Sequence, residues 1–330
     1  MKEVIHVENL SKTFKIRKSF PGISGMLKGL FSAETSTLTA IDQISLTIGQ
    51  GERVAFIGPN GAGKSTTIKM LTGILYPTFG LIRVLDLIPW KDRRALGFQI
   101  GTVFGQRTQL WYHLPPSDTF DLLSKIYELD SVYYRKRLQD LTASFEIENL
   151  LSQPVCQLSF GQRMRCEIVA SLLHNPKILF LDEPTIGLDI SAKLKIREFL
   201  THTSKEQGIT LFLTSHDTAD IEQICDRVIV LDRGRILKDC SLQELKRSYV
   251  KKKIITLITD EKSLHLSLPG IKVLKQSDYS LACEVNLEAT TIEQVIHETL
   301  KLTALKDVTI EDPTMSEIIH NLYESHAKVL

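Results

Sequence analysis

Gly58-Pro59-Asn60-Gly61-Ala62-Gly63-Lys64-Ser65 decides how this 330-residue chain is read. It spells G-x-x-x-x-G-K-[ST], the pattern of a loop that wraps phosphate groups. Just upstream, Arg53 to Ile57 reads as a short buried strand; downstream, Ile68, Leu71, Ile74 and Leu75 recur at helical spacing. Strand, glycine-rich loop and helix form the setting the motif requires. Glycines let backbone N–H groups turn inward around phosphate oxygens without a clashing Cβ. The helix N-terminus adds partial positive charge. Lys64 brings a full charge to the β- and γ-phosphates, and Ser65 offers a hydroxyl to Mg2+. Gly58, Pro59, Asn60, Gly61, Ala62, Gly63, Lys64, Ser65 and Thr66 are therefore expected to surround the phosphates of a nucleotide.

Outward from the loop, Ile44, Leu46 and Ile48 alternate with polar residues, as in a half-buried strand. Residues 81–85 and 98–104 read as further strands. Ile178 to Leu181 is a continuous apolar run, the mark of a strand buried on both faces; Ile209 to Leu213 and Val228 to Leu231 repeat it. Strands alternating with helices predict an α/β fold with a mostly parallel sheet. Residues 115–151 are rich in helix formers and predict a helical subdomain. Asp182-Glu183 closes the first buried run, at the carboxyl end where open α/β sheets bind ligands. Asp182 is expected to hold Mg2+ directly or through water, and Glu183 to orient or deprotonate an attacking water. Phosphoryl transfer needs mainly positioning and charge neutralisation, so one metal and one base suffice.

The length suggests two domains. Forty Lys and Arg against 39 Asp and Glu leave +1, which argues against a nucleic-acid partner. No run of about 18 apolar residues predicts a membrane span, and the first six residues lack the apolar core of a secretion signal. Five scattered cysteines without a CxxC pair predict neither a disulfide framework nor a zinc site. Residues 19–39, with Pro21, three glycines and many Ser and Thr, read as an inserted loop. Ser241 and Glu244 form a capping box. Lys251-Lys252-Lys253 then reads as a solvated linker face near a boundary, dividing the chain into 1–245 and 246–330. The second part reads strand, strand, strand, helix, strand, helix, with Asp312-Pro313 opening the last helix.

Leu158-Ser159-Phe160-Gly161-Gln162 resembles the signature motif of ATP-binding cassette (ABC) proteins, usually LSGGQ. Other motifs of that family stand in the same order. Gln106 matches the Q-loop, Gly187-Leu188-Asp189 the D-loop, His216 the switch histidine, and Phe14 the aromatic placed under adenine. The resemblance covers about residues 1–245. It implies an ABC nucleotide-binding domain of P-loop NTPase fold: a RecA-like parallel core, an antiparallel β subdomain and a helical subdomain over about 106–160. A small C-terminal α+β accessory domain would follow. It also implies an ATPase whose substrate lies between two head-to-tail domains. The phosphate loop of one would face Ser159, Gly161 and Gln162 of the other, with Asp189 nearby. Catalysis would fall to Glu183, His216, Lys64 and Gln106, and Mg2+ to Ser65, Gln106 and Asp182. Two departures stand out. Phe160 replaces the first glycine of the signature, and Val103-Phe104-Gly105-Gln106 carries one residue more than the common pattern, which makes Gln109 a rival to Gln106.

With no span of its own, a transporter ATPase needs separate transmembrane permease subunits, and a second copy or a paralogous ATPase. Such a chain would sit at the cytoplasmic face of the inner or plasma membrane. Arg107 to Leu114, with Trp111 and Tyr112, follows the Q-loop where the family receives permease helices; the same aromatics could equally pack the subdomain. Ile310-Glu311-Asp312-Pro313-Thr314-Met315 resembles the closing segment of type-2 ABC exporter ATPases. An exporter subunit is the leading expectation. A soluble ABC ATPase acting on a macromolecule and an importer subunit are the alternatives.

Overall fold

The computed structural model describes residues 2–17, 35–105, 108–247, 252–260, 264 and 266–327. The chain divides into two compact units, Met1–Cys240 and Ser241–Leu330.

The first unit holds two sheets. Strands β1 (Glu3–Arg17), β2 (Thr35–Gly49) and β4 (Phe79–Val84) form an antiparallel sheet in the order β2-β1-β4. Pairing of β1 with β2 runs from Glu3 opposite Gly49 to Arg17 opposite Thr35. Residues 35–39, expected as loop, are thus strand; the rest of the expected insertion, residues 19–34, lies outside the described residues. Sequence periodicity missed this end because Ser36 to Thr39 are exposed, and alternation shows only where one face is buried.

The second sheet runs in the order β5-β6-β7-β3-β8-β9, from β5 (Ile100–Phe104), β6 (Ile178–Asp182), β7 (Thr210–Thr214), β3 (Arg53–Ile57), β8 (Arg227–Asp232) and β9 (Arg235–Ser241). β5 through β8 pair in parallel. Arg233 and Gly234 both take positive φ, 45° and 80°, in the two-residue turn between β8 and β9. Phe180, Phe212 and Phe56 fill the sheet centre without exposure, their rings 5.7 and 5.1 Å apart in sequence across β6, β7 and β3. Because the strands are parallel, the ends of β3, β6 and β7 open at one edge, and every group discussed below from those strands emerges there.

Helix α1 (Lys64–Leu71) leaves β3, and α2 (Arg93–Gly97) precedes β5. Between β5 and β6 come α3 (Pro116–Ile126), α4 (Ser131–Ser144) and α5 (Phe160–Leu172). The Asp130 carboxylate caps α4 by accepting from the Val132 and Tyr133 N–H groups, and the Tyr134 hydroxyl donates to Asp121. Helix α6 (Ile190–Gln207) starts at Asp189 and stops at Gly208, whose φ of 65° suits glycine at a helix end. α7 (Thr218–Ile224) separates β7 from β8.

The second unit begins with α8 (Leu242–Arg247), opened by the Ser241–Glu244 capping box. Its sheet is antiparallel, in the order β11-β12-β10-β13, from β10 (Lys252–Thr259), β11 (Ile271–Ser277), β12 (Ser280–Asn286) and β13 (Leu305–Glu311). Helix α9 (Ile292–Leu302) bridges β12 and β13 and places Val295 against Ile255, Leu257, Leu281, Cys283 and Val285. Two expectations need correction. Lys252 and Lys253 lie in β10, where Lys252 Nζ donates to Glu284 at 2.9 Å and Lys253 pairs with Asp312, so they are not a free linker. The last helix, α10 (Met315–Ala327), is opened by a Thr314–Glu317 capping box rather than by Asp312, because the Thr314 hydroxyl accepts from Glu317 N at 3.3 Å. The first-turn hydrogen bond of α9 is equally testable. Thr291 accepts from Gln294 N at 3.2 Å, and Thr291→Ala should destabilise this unit by about 0.5–2 kcal/mol, read from urea unfolding.

Candidate active site

At the shared sheet edge, Gly63 caps α1 with φ 111° and no side chain caps that terminus, so its first-turn N–H groups carry no side-chain acceptor. A Cβ on Gly63 would fall 2.4 Å from Ile41 Cδ1 and 2.6 Å from Ala40 O; only glycine lets β2 press this close to the loop. Lys64 is 7% exposed and turns its ammonium back along the loop, donating to Gly58 O at 2.6 Å and Pro59 O at 3.3 Å. Burial lowers its pKa, while the nearby Glu183 and Asp182 carboxylates pull the other way. Ser65 and Thr66 follow in the first turn, Asn60 and Gly61 are exposed, and Ala62 is buried.

The acids arrive on β6. Asp182 Oδ1 accepts from the Thr214 hydroxyl of β7 at 2.6 Å. Glu183 sits at φ 56°, in the left-handed region that costs a side-chain-bearing residue about 1–3 kcal/mol and gathers at functional positions. Its Oε2 accepts from His216 N at 3.2 Å. Its Oε1 is buried, accepts no hydrogen bond, and lies 3.4 Å from His216 Nε2. That same Nε2 is 3.3 Å from Lys64 Nζ. Burial raises the Glu183 pKa above the ordinary range, opposed by His216 and Lys64. Lys64, Glu183 and His216 therefore converge on one point beside the phosphate loop. Gly105 N donates to Asp182 O at 2.8 Å, which brings the end of β5 beside the two acids; Gln106 itself lies outside the described residues.

The other site residues form a second cluster. Ser159 caps α5 in a full capping box: its hydroxyl accepts from Gln162 N at 3.2 Å, and Gln162 Oε1 accepts from Ser159 N at 2.8 Å. Gly161 faces Leu188 and Ala192, and the Phe160 ring faces Gly187 with the Arg163 guanidinium 5.1 Å from its centroid. The phenylalanine that replaces a glycine here thus packs along the D-loop of its own chain. Asp189 caps α6 through Ala192 N at 2.9 Å. Among the described residues, no hydrogen bond or ion pair joins Ser159, Gly161, Gln162 or Asp189 to residues 58–66. Phe14 lies half-buried in β1 with Lys12 Nζ 5.2 Å from its ring, and that ammonium donates to Tyr76 O at 2.9 Å. The Gln109 side chain donates to Glu167 O at 3.2 Å.

Sequence reading missed a buried network behind the acids. Asp220 is fully buried and accepts from the Thr185 hydroxyl, from Ser215 Oγ at 2.6 Å and from Arg197 Nε at 2.6 Å. Asp217 accepts from Arg197 at 2.9 Å and Lys193 at 2.7 Å. These bonds tie Thr185, two residues past Glu183, to Ser215, one residue before His216. Most of the partners are far apart in sequence and follow no short motif; the one local signal was Asp217, an N-cap residue ahead of α7.

The donors around the loop suit Mg2+. Ser65 and Asp182 offer oxygen, and no group of three or more His, Cys, Asp and Glu side chains able to hold a metal occurs among the described residues. Such an ion would depend largely on phosphate and water, as Mg2+ does in nucleotide sites.

A parallel sheet with a phosphate loop at the end of β3, and acids at the end of β6 one strand beyond β7, defines a P-loop ATPase core. The ABC transporter family profile matches residues 41–186. The chain is 32% identical over 218 residues to the ABC transporter ATP-binding protein NatA of Bacillus subtilis, covering 66% of this chain and 88% of that protein. It is 31% identical to the Nod factor export ATP-binding protein I of Ralstonia nicotianae, covering 72% and 71%. It is 29% identical to the methionine import ATP-binding protein MetN 3 of Bacillus cereus, covering 74% of each. The solved dimeric, post-hydrolysis ATP-binding cassette MJ0796 with ADP and Pi superposes with TM-score 0.60 at 27% identity, covering 72% of this chain and 98% of that one. The chain belongs to the ABC transporter ATP-binding family and is an ATPase, the ATP-binding subunit of an ABC transporter. No helix among the described residues is long and apolar enough to cross a membrane.

Proposed function

We propose that this ATPase drives an exporter, working as one of two nucleotide-binding domains, identical or paralogous, attached to separate transmembrane permease subunits on the cytoplasmic face of the membrane. The separation of the two clusters carries this reading. Lys64, Glu183 and His216 meet beside the phosphate loop, while Ser159, Gly161, Gln162 and Asp189 gather elsewhere with no bond to that loop. A second domain arranged head to tail supplies each loop with the missing cluster. ATP then links the two domains, and loss of the γ-phosphate releases them, a ligand-shifted equilibrium between closed and open pairs.

Within one such site, Gly58 to Thr66 wrap the phosphates and Lys64 neutralises them, replacing its present carbonyl acceptors with phosphate oxygens. Phe14 stacks under adenine. Glu183 takes the proton of the attacking water, and His216 steadies that water and the γ-phosphate. Ser65, Asp182 and Gln106 would hold Mg2+. When bound, Mg2+ supplies charge neutralisation at the phosphates. Residues 1–245 act as the nucleotide-binding domain and 246–330 as an accessory domain.

Export is favoured by the closing segment Ile310 to Met315 and by likeness to a protein named for Nod factor export. Likeness to a protein named for methionine import keeps import as the second reading. Co-expression with the membrane proteins encoded beside it tests the proposal. The chain should sediment with membranes and co-purify with a six-span protein in detergent. Recovery of the chain free of membranes under those conditions would overturn it, and a substrate-binding protein encoded alongside would favour import.

A further inference from the structure

Glu167 is 5% exposed on α5, the helix that Ser159 opens. Among the described residues, its carboxylate takes hydrogen bonds from a single short segment, residues 108–110. Oε1 accepts from Gln109 N at 3.0 Å, from Leu110 N at 3.5 Å and from the Thr108 hydroxyl; Oε2 accepts from Gln109 N at 3.2 Å. Gln109 Nε2 returns a bond to Glu167 O at 3.2 Å. A carboxylate has about four lone-pair sites and no donor, which fits it to several converging N–H and O–H groups. Burial raises its pKa while these bonds lower it.

Residues 108–110 lead directly into Trp111 and Tyr112, both about half exposed at 47% and 49%. That aromatic stretch is itself tied to the chain just before the signature. Cys156 N donates to Tyr112 O at 2.8 Å and Val155 N to Leu114 O at 3.0 Å. Residues 108–114 therefore hang on the signature region at two places, one of them a single side chain.

The geometry points to Glu167 as a positioning residue that fastens residues 108–110 to α5, so that the exposed aromatic stretch and Ser159 move as one body. A push on Trp111 or Tyr112 is then delivered to the N-terminus of α5, where Ser159 sits. This rests on the paired-site reading above for its effect on turnover, but the fastening is a property of one chain.

The test uses the full chain with Glu167→Ala and Glu167→Gln. Hydrogen exchange reads the Gln109 and Leu110 amides, and steady-state ATPase assays give kcat and the KM for ATP. For Glu167→Ala the two amides should exchange at least tenfold faster while residues 163–166 of α5 keep their protection. kcat should fall about ten- to a hundredfold with KM within twofold, because the phosphate loop is untouched while Ser159 loses its placement. Glu167→Gln keeps one acceptor oxygen and should recover part of both. Unchanged exchange at 109–110, or unchanged kcat, overturns the proposal. So does faster exchange along all of α5 with KM rising in both variants, which marks an ordinary core residue. Ser159→Ala in the same assay separates the readings. If it leaves kcat unaltered, the paired-site reading fails, while the exchange result still judges the fastening.

Discussion

The Glu183→Gln chain should bind ATP with near-normal affinity and turn it over about 10²- to 10⁴-fold more slowly, the contribution typical of a positioned general base. The substitution preserves size and leaves an oxygen to accept the His216 N–H that Oε2 accepts now, at 3.2 Å. What it removes is the negative charge of Oε1, a buried oxygen that accepts no hydrogen bond and stands 3.4 Å from the His216 ring. An oxygen kept dry and unengaged is available to a water's proton. With ATP bound and not consumed, the paired form should accumulate, so the variant should run as a dimer in ATP and as a monomer without it. Phosphate release, equilibrium nucleotide binding and light scattering together decide this. Turnover within threefold of the parent would show that another group serves as base. A pH profile adds a sign. Burial holds the Glu183 pKa up, so activity should fall on acidification with a midpoint above the usual carboxylate value of about 4.3.

Lys64→Ala should act on binding instead. Its ammonium is buried, and hydrogen bonds to charged groups are worth about 1.5–3 kcal/mol each. Loss of a single such bond to phosphate weakens affinity roughly 10- to 150-fold. The alanine chain also leaves Gly58 O without the donor it has at 2.6 Å, so folding should be checked in parallel by thermal melting. Titration with a fluorescent ATP analogue reads the affinity directly, and an unaltered dissociation constant would remove Lys64 from the phosphate site.

The phosphate loop, the acids and the parallel strands were legible because each is local. Ile178 to Leu181 announces burial by itself, and Lys64 needs only its glycines to declare its use. The end of β2 was not, since Ser36 to Thr39 pair with β1 without burying a face. The Asp220 and Glu167 bonds were not either. Ser215 apart, their partners lie 23 to 59 residues away, and a buried carboxylate looks in sequence like any solvated one. Asp312 was read as a cap because Pro follows it, but Thr314 has Glu317 three residues on and so satisfies two donors reciprocally, which a proline at the next position cannot offer.

The hydroxyl of Ser159 already accepts a hydrogen bond from the Gln162 N–H of its own helix, while among the described residues its own hydrogen is donated to no acceptor. On the proposed head-to-tail pairing, a neighbouring domain's nucleotide would take that hydrogen without first dismantling anything. The recognition surface is thus rigid before its ligand arrives, and little entropy is lost in ordering it. One atom group then has two duties. On the proposed pairing, deleting it would loosen the start of α5 and deprive the γ-phosphate of a donor together, whereas threonine at this position would keep both and differ only by a methyl.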